Sequence, residues 1–376
     1  MVFVDWFSPG YKGGGPIQSC KNFVKAFKTE FDIYVVTSDR DLGENQPYPD
    51  LIINKWIAVE DKVSVFYATI KDLRFLTVRT LVREVEPDYI YLNSMFSYKF
   101  TIFPLLLKRF YNINVPLIIA PRGMLHAGAL HFKAVKKKLF IRVFNALKFS
   151  QQLIFHATDL QEKKDINHFF TKAQKVFVAE NFPAMDEVQW EKIPKEPGIL
   201  RCIFLSRMSP KKNILYFLKI LQGMPRATSI TFSIYGEIED PHYWLNCEEV
   251  IAQMPDWIKV TYEGPVNHQE IFRIYKQFHV FVLPTLGENF GHAIFEALLA
   301  GKPVLISDKT PWRNLSKKKI GYEISLDQPI AFNEAIINFT SWNQAEYDLW
   351  SQSAWSYANQ YRTKSNTKAK YAEIFK

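Results

Sequence analysis

Short apolar runs rich in β-branched and aromatic residues alternate along the chain with longer stretches of helical character. In the first half these runs are VFVDWF (2–7), DIYVVTS (32–38), YIYLN (89–93) and PLIIAP (116–121). In the second they are RCIFLSR (201–207), TFSIYG (231–236), KVTYEG (259–264), VFVLPT (280–285) and PVLIS (303–307). Continuous apolar runs separated by helices predict strands of parallel sheets covered on both faces. The pattern restarts near residue 200, after PAMDEVQWEKIPKEPG (183–198), a stretch with Pro183, Pro194 and Pro197 and little apolar periodicity. Such a segment suits an interdomain linker. The pattern therefore predicts two Rossmann-like α/β domains, 1–182 and 199–349, with a cleft between them. Ligands of such sheets bind beyond the carboxyl ends of the strands, so chemistry belongs in the strand-to-helix loops.

Composition adds limits. The 376 residues are 48% hydrophobic and 23% charged, enough for two cores and unlike a disordered or collagen-like chain. Three cysteines (Cys20, Cys202, Cys247) show no metal spacing, and an odd count argues against a disulfide framework, so a reducing compartment is expected. The net charge of +9 is local: residues 101–150 hold nine Lys or Arg and no Asp or Glu, leaving 47 − 9 = 38 basic against 38 acidic residues elsewhere. A nucleic acid, an anionic membrane or a phosphorylated ligand are the partner classes such a patch suits. The apolar runs are far shorter than the roughly 20 residues of a spanning helix. MVFVDWFSPG reads as a strand, not a signal peptide.

Three loops carry candidate chemistry. SPGYKGGGPIQSCKNFVKAF (8–27) places Gly13, Gly14 and Gly15 between a strand and a helix, where backbone amides can face an anion. It fits neither GxGxxG nor a Walker A loop. FLSRMSPKKNI (204–214) sets Arg207 at a strand's end and Lys212 beside the next helix, a pair able to neutralise a diphosphate, with Lys211 read as solvated. LPTLGENFGHAIFEALLAGKPVLISD (283–308) separates Glu288 from Glu296 by seven residues. Two carboxylates so placed suit hydroxyl-rich ligands, and a Glu within AIFEALLAG needs a partner.

These residues resemble a known family. LSRMSPKKN together with ENFGHAIFE and ALLAGKPVL is similar to the retaining family 4 glycosyltransferases of the GT-B fold. GGGP, PRGML (121–125), YGE (235–237) and EGPV (263–266) extend the resemblance over nearly the whole chain, and PRGML is of the type found in bacterial capsule, lipopolysaccharide or exopolysaccharide enzymes. The resemblance implies two Rossmann-like domains with parallel sheets facing a central cleft, and a nucleotide sugar as donor. Arg207, Lys212 and the amides of Gly14 and Gly15 would bind its diphosphate. Glu288 would hold the donor sugar, with the amides of Asn289, Phe290 and Gly291 nearby. Glu296 would hold the ribose hydroxyls, and the loop around Gly264, Pro265 and Val266 would lie against the base. No divalent metal or other cofactor is implied, and no DxD cluster is present. The last helix, 350–376, would pack back on the first, acceptor-binding domain. Arg122 or His126 in PRGMLH would be the first domain's polar helper; His292 is read as packing or capping.

HFKAVKKKLFIRVFNALKF (131–149), placed on a helix, gathers Phe132, Val135, Leu139, Val143 and Leu147 on one face with lysines broadly opposite. Two readings stand: a surface helix on anionic lipid, or a helix packing that apolar face on its own sheet. Lipid-linked acceptors in the family's pathways favour a cytoplasmic protein at the inner face of the membrane. The alternatives are another GT-B enzyme (epimerase or phosphorylase), a nucleic-acid-binding protein using the 101–150 patch, and a non-catalytic polysaccharide-assembly partner. A nucleic-acid reading leaves the paired glutamates unexplained.

Overall fold

A computed structural model describes the chain except for residues 112, 127–129, 131–133, 174, 227 and 365. It divides into two units, Met1–Phe182 with Asn366–Lys376, and Pro183–Ser365. The first unit contains β1 (Val2–Phe3), α1 (Gly15–Phe27), β2 (Ile33–Ser38), β3 (Trp56–Glu60), β4 (Val63–Ala68) and α2 (Phe75–Val85). It continues with β5 (Ile90–Leu92), α3 (Phe103–Phe110), β6 (Leu117–Ile119), α4 (Ala134–Ala146), β7 (Leu153–Ala157), α5 (Leu160–Phe169) and β8 (Lys175–Val178). Its sheet runs β3-β4-β2-β1-β5-β6-β7-β8, parallel throughout except for the β3/β4 hairpin. Both faces are covered: α1 lays Ile17, Cys20, Phe23, Val24 and Phe27 on one of them, a spacing of three and four residues that keeps an apolar stripe on one helix side.

The second unit comprises β9 (Ile199–Leu205), α6 (Ile214–Gln222), β10 (Ser229–Tyr235), α7 (Pro241–Ile251), β11 (Ile258–Gly264), α8 (Ile271–Tyr275) and β12 (Val280–Leu283). After these come α9 (His292–Leu299), β13 (Val304–Ser307), β14 (Gly321–Ile324), α10 (Pro329–Ser341) and α11 (Gln344–Lys364). The sheet is wholly parallel, in the order β11-β10-β9-β12-β13-β14. Strand order reverses between β9 and β12, and the crevice past their carboxyl ends is where a doubly wound sheet takes its ligand.

Two segments differ from expectation. Residues 183–198 form no strand or helix, yet they are docked on the second unit: Ala184 and Ile193 are in its core, and the buried Lys195 ammonium donates to the carbonyls of Thr340 (3.1 Å) and Trp342 (3.0 Å). The C-terminal return to the first unit starts at Asn366, not at 350. Up to Lys364 the chain is α11, whose Tyr347, Trp350, Ala354 and Ala358 continue the second unit's core at helical spacing. Only α12 (Thr367–Ile374) joins the first unit, burying Tyr371 and Ile374 beside Phe23, Phe27 and Phe182.

Candidate functional site

In the second unit the loop after β9 and the loop after β12 flank the crevice. Lys212 and Glu288, 76 residues apart in sequence, meet there with Nζ 2.6 Å from Oε1 and side chains only 15% and 11% exposed. Thr285 Oγ1 stands 3.0 Å from the same carboxylate oxygen, and the Leu286 N–H donates to the Lys211 carbonyl at 2.8 Å, lacing the two loops together. Burial by itself would raise the Glu288 pKa. Lys212 and Lys211 alongside, with hydrogen bonds from Lys212 and Thr285, outweigh it and hold the carboxyl below the ordinary glutamate range. Lys211 is exposed.

Arg207, at the end of β9, donates to Glu239 Oε1 at 2.8 Å. The partner comes from the loop after β10, which is zipped to the Arg207 loop by Met208 N–H to Glu237 O (2.8 Å) and Glu239 N–H to Met208 O (3.1 Å). That close approach requires Gly236: its φ is 139°, and a Cβ there would stand 1.9 Å from the Ser206 carbonyl oxygen. Both candidate diphosphate ligands are thus paired with carboxylates, which an incoming phosphate would have to replace as partners.

Glu296 lies on α9, 3% exposed, and its Oε1 is 3.1 Å from Nε2 of His268. The helix starts after Gly291, whose φ of 78° is a left-handed conformation that a side chain would strain. Phe290 is buried and its carbonyl accepts from Trp312 Nε1 at 2.6 Å. His292, the first residue of α9, packs its ring 4.9 Å from that of Phe290. Asn289 lies in the same loop. Pro265 and Val266 directly follow β11, where Val266 packs partly against the core. Lys212 and Glu288 thus meet past the carboxyl ends of β9 and β12, Arg207 pairs with Glu239 in the loops after β9 and β10, and Glu296 on α9 meets His268 from the turn after β11. Sequence reading missed Glu239 and His268, because neither sits in a motif whose spacing points to its partner.

The remaining candidates belong to the first unit. Gly14 precedes α1, but its N–H, expected to face phosphate, donates to the Tyr11 carbonyl at 3.0 Å; Gly15 opens the helix and is exposed. That glycine loop is pinned from behind by Asp41, which accepts the N–H groups of Tyr11 (2.7 Å) and Lys12 (3.0 Å). Arg122 is held by partners within its own unit. Its guanidinium donates to Asn93 Oδ1 (2.6 Å), the Tyr91 hydroxyl (2.7 Å) and Asn181, with the Tyr371 hydroxyl at 3.5 Å. It is a strut joining β5, the end of the first unit and α12. His126 has its Nδ1 2.5 Å from Oδ2 of Asp165 on α5, both side chains partly exposed. Asp165 carried no sequence signal, since 39 residues separate it from His126.

Phe132 and Lys133 lie outside the described residues. On α4, Ile141 and Phe144 are buried, whereas Val135, Leu139 and Val143, and Leu147 just after it, are 82%, 59%, 49% and 37% exposed. The stripe read as a possible core face therefore points to solvent, with Lys136, Lys138, Arg142 and Lys148 exposed among it. No helix among the described residues is long and apolar enough to cross a membrane.

Residues 200–341 match the family model described as Glycosyl transferases group 1. The O-antigen chain mannosyltransferase B of Escherichia coli is 30% identical over 112 residues, 29% of this chain and 28% of that protein. The peptide N-acetylglucosaminyltransferase GtfA subunit of Streptococcus gordonii is 26% identical over 204 residues, 51% of this chain and 38% of that one. The chain thus spans well under half the length of these relatives. Among solved structures, WaaG, a glycosyltransferase involved in lipopolysaccharide biosynthesis, superposes with a TM-score of 0.68 at 11% identity, covering 100% of this chain and 98% of that one. HepE of Anabaena in complex with UDP and glucose does so with a TM-score of 0.65 at 15% identity, covering 99% and 98%. The chain thus has the GT-B fold, and its residues 200–341 match the group 1 glycosyl transferases, in keeping with the resemblance of the motifs there.

Proposed function

We propose that this protein is a retaining glycosyltransferase that moves a sugar from a nucleotide-sugar donor to a saccharide acceptor, lipid-linked, in bacterial cell-surface polysaccharide synthesis. The observation that carries the reading is the Lys212–Glu288 pair past the carboxyl ends of β9 and β12, with Arg207 in the same loop as Lys212 and Glu296 eight residues after Glu288. The names of the relatives support it, since they include an O-antigen mannosyltransferase, a lipopolysaccharide glycosyltransferase and a protein holding UDP and glucose.

In this reading the donor diphosphate replaces the carboxylates as partner of Arg207 and Lys212, and Glu288 is released toward the sugar hydroxyls. Departure of the nucleoside diphosphate builds negative charge that these two cations and the positive end of α6 stabilise more in the transition state than before it. The acceptor hydroxyl attacks from the face the phosphate leaves and gives its proton to the departing phosphate oxygen, which retains configuration and makes Glu288 a positioning group. No metal is needed, because fixed cations meet the charge. His126, oriented by Asp165, is the first unit's polar helper. Lipid-linked acceptors are met at the inner face of the cytoplasmic membrane, through the basic, apolar-striped surface of α4.

The test is donor turnover and thermal stabilisation across UDP-, GDP- and other activated sugars, with EDTA present. One donor is expected to stabilise and turn over, and Lys212→Ala to cut turnover by about 100-fold or more, the size of losing one preorganised charge. Unchanged turnover in Lys212→Ala and Glu288→Gln would remove both from the machinery; dependence on a divalent cation would end the metal-free reading.

A further inference from the structure

We propose that His268 is a positioning residue for the nucleoside: it holds the Glu296 carboxylate in the attitude from which it accepts a vicinal pair of ribose hydroxyls. The proposal rests on the donor-site reading above.

Glu296 is nearly enclosed, its side chain 4% exposed, and a carboxylate oxygen only accepts hydrogen bonds. The 3.1 Å contact therefore requires that Nε2 of His268 carry the hydrogen and donate. Among the described residues, His268 is the side chain that donates to Glu296. The buried Tyr275 hydroxyl lies close enough to feel the Glu296 charge, but it donates to the Ala293 carbonyl at 3.2 Å. A carboxylate offers about four lone-pair sites, so one bond to the imidazole leaves about three. That suffices for two adjacent hydroxyls while fixing the plane in which they must arrive. A Glu side chain fixed before the ligand comes loses less freedom on binding, which is preorganisation.

The placement of His268 adds a second reason. It opens the short turn His268–Glu270, immediately after Pro265 and Val266, and the turn is held by Asn267, whose side chain accepts the Gln269 N–H at 3.1 Å. The imidazole is 17% exposed, a reachable side chain and not a core one. The loop assigned to the base thus delivers the group that orients the carboxylate assigned to the ribose. Base and sugar recognition are set by one loop.

The experiment is titration calorimetry with UDP, GDP and ADP, each against its 2′-deoxy counterpart, on the full chain. The tightest ribonucleotide is expected to exceed its 2′-deoxy form by about tenfold, as for one hydrogen bond to a charged group. In His268→Ala that ratio falls towards one, with the deoxy form bound nearly as in the wild type. His268→Gln, which keeps an N–H donor, restores most of the ratio. A structural role would weaken both forms equally and leave the ratio intact, and that result overturns the proposal. Folding of each variant is checked by circular dichroism. Failure of all three ribonucleotides to bind the wild type, or an intact ratio in Glu296→Gln, overturns the donor-site reading itself. A lost ratio in Glu296→Gln with an intact one in His268→Ala overturns the His268 proposal alone.

Discussion

At the scale of single residues, the Lys212–Glu288 pair shows what the spacing of motifs reveals and what it leaves hidden. Two motifs 76 residues apart each announced a charge at a strand end, and topology brought the charges together. The motif residues were legible because chemistry restricts their types. Their partners were not: Glu239, His268 and Asp165 are ordinary surface-type residues until folding sets them against Arg207, Glu296 and His126. Arg122 shows how folding can give a motif residue internal partners. A loop arginine reads as a ligand, yet folding surrounds it with Tyr91, Asn93 and Asn181. The Lys212–Glu288 pair also has a consequence for stability. Glu288 has a depressed pKa, so its ionised form stabilises the fold above the ordinary value of 4.5, and the contribution is lost as pH falls through the folded value. Lys212→Met is expected to cost about 3 kcal/mol at pH 7, because it leaves a largely buried carboxylate unpaired. The loss should shrink below pH 4.5, and Lys212→Met combined with Glu288→Gln should recover most of it. Denaturant unfolding from pH 3 to 7 checks this; a pH-independent loss in the single variant would contradict it.

Secondary-structure elements were legible where one physical signal was undivided. The continuous apolar runs became β2, β5, β6, β9, β10, β12 and β13, because strands covered on both faces leave few polar positions, while KVTYEG became the half-exposed edge strand β11. VFVDWF shortened to Val2–Phe3, although backbone bonds to β2 run on through Val4 N–H to Val36 O (3.1 Å) and Ser38 N–H to Asp5 O (3.2 Å). The β3/β4 hairpin escaped notice because WIAVEDKVSVFYA mixes polar positions into its run, as suits an edge with one face less covered. For α4 the sequence offered two faces, and packing decided between them: Ile141 and Phe144 go inward, leaving Val135, Leu139 and Val143 outside among lysines. A basic helix with an unpartnered apolar stripe complements anionic lipid, each basic residue near the surface adding about 1 kcal/mol. Replacing Lys136, Lys137 and Lys138 by Gln should weaken binding to phosphatidylserine vesicles by about 100-fold at low salt. Leu139→Glu should weaken it while leaving salt dependence in place. Sedimentation with vesicles reads both; wild-type protein that stays in the supernatant at low salt would refute the assignment.

At the scale of the whole molecule, each unit has its own core and a deeply buried histidine held neutral within it. In the first unit His156 is fully buried, its Nδ1 2.8 Å from the Tyr91 hydroxyl and its Nε2 donating to the Ala179 carbonyl at 2.8 Å. In the second, His279 is 1% exposed, accepts the Arg201 N–H at 3.1 Å and donates to the Pro194 carbonyl at 2.9 Å. Burial, then the nearby guanidinium of Arg122 or Arg201, lowers each from 6.5 to about 3, against a smaller opposing effect of the carbonyl. Below pH 6.5 the unfolded chain takes up protons that the folded units refuse, so stability falls as pH falls from 6.5 towards 3. The loss approaches about 1.4 kcal/mol per pH unit for each histidine, or about 3 kcal/mol each near pH 4.5. Since the two groups sit in different units, both units should weaken together on mild acidification, before most carboxylates titrate. Scanning calorimetry at pH 7, 5.5 and 4.5 should show all transitions shifting down. His156→Gln should flatten the pH dependence of the first unit alone, and His279→Gln that of the second. Parallel slopes in wild type and both variants would mean that other groups, not these imidazoles, bind the protons that unfold the chain.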